Sequence, residues 1–88
     1  MQEQIRQFIL TNFLFTDDES QVKNDDSLLE QGIMDSTGVL ELVAFVESEF
    51  GIAIADDELT PENLDSVARI VDFVSRKQQA SRLHVGAR

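Results

Sequence analysis

Eighty-eight residues with a net charge of −10 describe one small acidic domain, with no room for a second independent core. The chain has no Cys, Trp or Tyr and a single His, His84, which excludes disulfides, thiolate metal sites, a Cys nucleophile and most imidazole-based hydrolysis. Apolar residues make up 42%, enough for a packed core, but no run approaches the roughly 18 of a membrane span.

The first predicted element runs from about Gln2 to Phe15. Met1-Gln2-Glu3-Gln4 lacks the basic and apolar regions of a secretory signal, so a soluble cytoplasmic protein without membrane insertion is expected. Ile5, Phe8, Ile9 and Phe13 recur at helical spacing, and Leu10 and Leu14 widen the apolar face. Asp17-Asp18-Glu19-Ser20 ends the pattern and opens a long polar loop. Within it, Ser27-Leu28-Leu29-Glu30 has the spacing of a capping box, with Gly32 as a stop, so one short helical turn is predicted whose two leucines plug the loop onto the core.

The second helix is predicted to begin at Asp35 or Ser36 and to stop at Gly51. Val39, Leu42, Val43, Val46 and Phe50 then share a stripe about 100° wide, the width of a core-facing surface. Ile52-Ala53-Ile54-Ala55 alternates but is too short to found a sheet. Thr60-Pro61 starts a further short helix, and Asp65-Ser66 reads as the cap of the last, over about Ser66 to Gln79. There Val67, Ile70, Val71 and Val74 face inward, and Arg76 and Lys77 complement the dipole of the final turn. Residues 80–88 read as a loose tail, leaving one domain over 1–79. The expected architecture is all-α: a four-helix bundle of three main helices and one short one, with a long first loop.

Charge is unevenly spread. Residues 17–65 hold fifteen acids and one base, Lys23, while residues 66–88 hold one acid and five bases. The middle of the chain repels nucleic acid and anionic membranes, and basic proteins are its natural partners. A calcium-binding loop of the helix–loop–helix type is excluded by spacing, and no metal site is expected.

Gly32-Ile33-Met34-Asp35-Ser36 puts a serine hydroxyl at the mouth of a helix, directly after an acid. Without a base in reach it is a poor nucleophile: Asp35 adjoins it in sequence and cannot orient His84 as a triad does, so no catalytic residue is assigned. Two readings of Ser36 remain open on local grounds. It is either a hydroxyl displayed for modification by another protein, where anionic oxygens meet a positive helix end, or simply half of a capping pair with Asp35.

The stretch from Leu28 to Ile54 resembles the acyl, peptidyl and D-alanyl carrier proteins. The matching features are Gly32, Asp35-Ser36, Val39, Glu41-Leu42-Val43 and Glu49-Phe50-Gly51-Ile52, together with Asp65-Ser66-Val67 before the last helix. The resemblance covers residues 5–78 and implies a freestanding, monomeric carrier rather than an enzyme. Ser36, flanked by Asp35, would receive 4′-phosphopantetheine from coenzyme A through a phosphopantetheinyl transferase. The thiol of that arm would carry an acyl or aminoacyl group as a thioester, from a loading enzyme (an adenylating ligase or acyltransferase) to downstream synthases. The missing cysteine then makes sense, because the thiol is imported on a tether that raises local concentration at each partner. Thr37 and Gly38 depart from the fatty-acid type, and Asp-Ser-x-Gly looks closer to D-alanyl carriers and to carriers of specialised pathways.

By the same resemblance the second helix is the recognition element. Its outward face holds Thr37, Leu40, Glu41, Ala44, Glu47 and Ser48, an apolar centre ringed by acids that would meet a basic partner surface. Leu40 read alone is an ordinary exposed leucine. Phe45, opposite the core stripe, is either a partner contact or packs on a loop. The reading from a different class is an unmodified acidic adaptor that binds basic proteins.

Overall fold

The computed structural model describes the backbone of residues 1–86 and the side chains of residues 1–80. Among these all regular structure is helical, with no strand. Helix α1 spans Gln2–Ile9 and continues without a break into a π-turn at Leu10–Leu14. The wider winding keeps Leu10, Phe13 and Leu14 on the core side. The turn closes when the Thr16 N–H donates to the Leu10 carbonyl at 3.2 Å, with Phe15 in the left-handed region at φ 54°.

Helix α2 spans Ser36–Phe50, α3 Pro61–Leu64 and α4 Val67–Gly86, and single 3-10 turns occupy Glu19–Gln21 and Asp56–Glu58. Both predicted ends of α2 are present. Asp35 caps it, and Gly51 closes it at φ 65°, a conformation cheap only for glycine. Pro61 starts α3 as its first residue. The last helix is longer than expected: instead of stopping near Gln79 before a loose tail over 80–88, α4 continues to Gly86, with the side chains from 81 onward, His84 among them, outside the described residues.

The core is built from Ile5, Ile9 and Leu10 of the first element, Val22, Leu28 and Met34 of the long loop, Leu42 and Val46 of α2, Leu64 of α3, and Val67, Ile70, Phe73 and Val74 of α4. Each fully buried aliphatic side chain contributes roughly 1.5–3 kcal/mol, so the loop is anchored as firmly as a helix. Two details of the core go beyond the sequence expectations. The segment Ser27–Gly32 forms the expected single turn, the Gln31 N–H donating to the Ser27 carbonyl at 3.0 Å and the Glu30 N–H to Ser27 Oγ at 3.2 Å, but only Leu28 plugs the core, Leu29 remaining 40% exposed. Arg6, on the apolar side of α1, is buried. Its guanidinium pairs with Glu3 at 3.1 Å and bonds Asn24, which ties the long loop to α1.

No helix among the described residues is long and apolar enough to cross a membrane. No cluster of His, Cys, Asp or Glu among them is placed to hold a metal ion.

Candidate functional site

The end of the long loop is held from below. The Asp65 carboxylate accepts from Ser27 Oγ at 2.6 Å and from the Leu29 N–H at 3.0 Å, while the Asp65 carbonyl accepts from the Leu28 N–H at 2.8 Å. Charge-assisted bonds of this kind are about twice as strong as neutral ones. The Leu28 carbonyl in turn accepts from the Ile33 and Met34 N–H groups, which carries the order forward to Asp35. Asp65 is therefore a loop clamp, and the cap of α4 is Ser66, whose Oγ accepts from the Arg69 N–H at 3.1 Å.

Asp35 accepts the Gly38 N–H on Oδ1 at 2.8 Å, satisfying a free donor of the first turn. Ser36, the first helical residue, is exposed and is one of the residues lining a cavity of about 430 Å³. The cavity walls are mainly aliphatic: Leu29 from the loop, Met34, Val39 and Leu40 around α2, and Leu59, Pro61 and Leu64 from the opposite side. Thr60 and Asp65 are the polar groups on its far wall.

Gly38 explains itself here. A Cβ at that position would lie 2.9 Å from Met34 Cγ and 3.0 Å from Phe13 Cε1. The absent side chain lets α2 seat on the end of α1 and fixes where Ser36 emerges.

Of the expected recognition face, Thr37, Leu40, Glu41, Ala44 and Ser48 are exposed, Leu40 by 59%. Glu47 is half-buried, and its Oε2 accepts the Ile54 N–H at 2.8 Å, pinning the segment after α2. Phe45 packs on a helix rather than on a loop. It stacks on Phe8 of α1 with ring centroids 4.3 Å apart, and Phe50 meets it edge-on at 6.3 Å. The cavity's far wall and the clamp at Asp65 were not singled out as site residues from sequence. From sequence Leu29 reads as a core plug and Asp65 as a helix cap, so neither carries a local signal of the site.

A family profile described as "Phosphopantetheine attachment site" matches residues 10–74. The chain belongs to this family. Similar proteins include the D-alanyl carrier protein of Streptococcus uberis, 36% identical over 67 residues that cover 76% of this chain and 84% of that relative. D-alanyl carrier proteins of Streptococcus pyogenes serotypes M5 and M49 are 34% identical over the same share of each chain. The protein is thus a phosphopantetheine carrier, not an enzyme, and its prosthetic group is held covalently. As a carrier protein it interacts with a phosphopantetheinyl transferase and with loading enzymes.

Proposed function

We propose that Ser36 is the attachment point of 4′-phosphopantetheine and that the chain carries an acyl or aminoacyl group as a thioester on that arm. The observation that carries this reading is an exposed serine at the first position of a fifteen-residue helix, lining a largely apolar cavity. The group fits. A phosphodiester on Ser36 places its charge at the positive end of α2, while Asp35 is turned back onto the Gly38 N–H. In loading, Ser36 Oγ forms a bond to the phosphorus next to the pantetheine of coenzyme A. The phosphoanhydride bond breaks, adenosine 3′,5′-bisphosphate leaves, and the hydroxyl proton passes to a base on the transferase.

For the cargo, two observations favour two classes. The relatives named D-alanyl carrier protein favour an aminoacyl group. The aliphatic walls beside Ser36 favour a neutral acyl group, because an ammonium desolvated there would find only Asp65, whose oxygens are already engaged. Thr37 and Gly38, unlike the fatty-acid type, favour a specialised biosynthetic pathway in the cytoplasm. The acidic exposed residues, Glu41 among them, favour partners with a basic surface, met by a monomer through Thr37, Leu40, Glu41, Ala44, Ser48 and the flank at Glu47.

Intact mass after incubation with coenzyme A and several phosphopantetheinyl transferases tests the attachment. The wild type is expected to gain one phosphopantetheine and Ser36→Ala none. No gain with any transferase, as an unmodified adaptor would show, overturns the reading. Loading of the modified protein with D-alanine against a panel of other amino and fatty acids then separates the cargo classes.

A further inference from the structure

Phe15 breaks two rules at once. It is 85% exposed, the most exposed large apolar side chain among the described residues, and it holds φ 54°, a backbone conformation that favours glycine or asparagine over a bulky aromatic. A glycine or asparagine there would close the π-turn with less strain and bury nothing less. Neither the core nor the turn accounts for a phenylalanine at this position, and strained, exposed residues concentrate where a protein meets something else.

The position of Phe15 says what it meets. The ring of Phe13 lies against Gly38, one half-turn into α2 from Ser36. Phe15 follows two residues later, at most about 7 Å further along the chain, so it lies at the same end of the molecule as Ser36. Enzymes that act on the arm reach it at a distance. The transferase has no arm to use and must bring its own active site to within bonding distance of Ser36 Oγ. A stable interface covers about 800 Å² on each partner, a patch about 16 Å in radius, which centred on Ser36 takes in the Phe13 end of α1. Asp17, Asp18 and Glu19 follow Phe15 after a single residue, Thr16, and are all exposed. The complement of such a surface is an apolar pocket with a basic rim.

We propose that Phe15 is a docking anchor for the phosphopantetheinyl transferase, seated in an apolar pocket of that enzyme whose rim carries Lys or Arg. This rests on Ser36 being the modified residue. Aromatic anchors of this kind act on encounter and residence, not on the chemical step, so the effect belongs in KM.

The test uses the apo protein, coenzyme A and a panel of purified transferases, with transfer followed by intact mass. Phe15→Asn keeps a residue suited to the left-handed position, and Phe15→Leu keeps apolar bulk. With transferases that modify the wild type, Phe15→Asn is expected to raise KM at least tenfold with kcat within about twofold, and Phe15→Leu to recover most of the loss. The melting temperature of Phe15→Asn is expected to be equal to or above that of the wild type. Wild-type kcat/KM for Phe15→Asn with every such transferase overturns the anchor while leaving the Ser36 assignment intact. A wild type that no transferase modifies overturns both.

Discussion

Single residues in this domain are placed by what lies opposite them more than by their own preferences. Gly38 is the clearest case. Glycine in a helix interior is destabilising by about 1 kcal/mol relative to alanine, so propensity alone favours Gly38→Ala. The contacts oppose it: the new Cβ would press on Met34 Cγ at 2.9 Å and on the Phe13 ring at 3.0 Å. Overpacking of this kind costs about 1–3 kcal/mol, so the contacts outweigh the propensity. Gly38→Ala is expected to lower the urea midpoint of unfolding; a variant more stable than the wild type would show that Phe13 and Met34 move aside freely. Arg6 follows the same logic. A cation on the apolar side of α1 looks misplaced until Glu3 and Asn24 are seen around it.

Among the elements, the segment between α2 and α3 matters most to the site because Leu59, Thr60 and Pro61 form one wall of the cavity. Two side chains hold it. Glu47 takes the Ile54 N–H, and Glu58 takes both Lys77 Nζ at 2.8 Å and the Ala55 N–H at 2.9 Å. The Lys77 hydrogen bond first, and then the Ala55 N–H, hold the Glu58 carboxyl below its ordinary value of 4.5. A depressed carboxyl contributes stability that is present above the unfolded value and is lost as pH falls through the folded one. Lys77→Ala is therefore expected to lower stability by a few tenths of a kcal/mol to about 1 kcal/mol at pH 7, the range of a partly exposed pair, and by less at pH 3. Urea titrations of both proteins at the two pH values check this. An equal difference at pH 3 would mean that Lys77 acts through its packing and not through Glu58.

For the whole molecule the governing quantity is the charge of −10, concentrated between residues 17 and 65. Among the described residues only four ion pairs offset it, at Glu3 and Glu19 with Arg6, Asp72 with Arg76, and Glu58 with Lys77. The remaining acids repel one another across a domain only about 20 Å thick, within two Debye lengths at 0.1 M salt. The melting temperature of the apo protein is expected to rise by several degrees between 10 mM and 500 mM sodium chloride. A melting temperature indifferent to salt would mean that the acids are too well solvated to feel one another.

The sequence by itself determined the helices, because each has a local signature. The cap at Asp35, the stop at Gly51, the Thr60-Pro61 start and the apolar stripes of α1, α2 and α4 act within one or two turns. It also singled out Ser36, through the residues around it. Only the tertiary structure decided what surrounds that serine. The cavity draws its walls from residues as far apart as Leu29 and Leu64, and the Asp65 clamp spans 36 to 38 positions. The π-turn that exposes Phe15, the stacking of Phe45 on Phe8 and the seating of Phe13 against Gly38 likewise depend on how α1 meets α2. Periodicity reports which side of a helix is apolar, but not which distant side chain fills the space opposite.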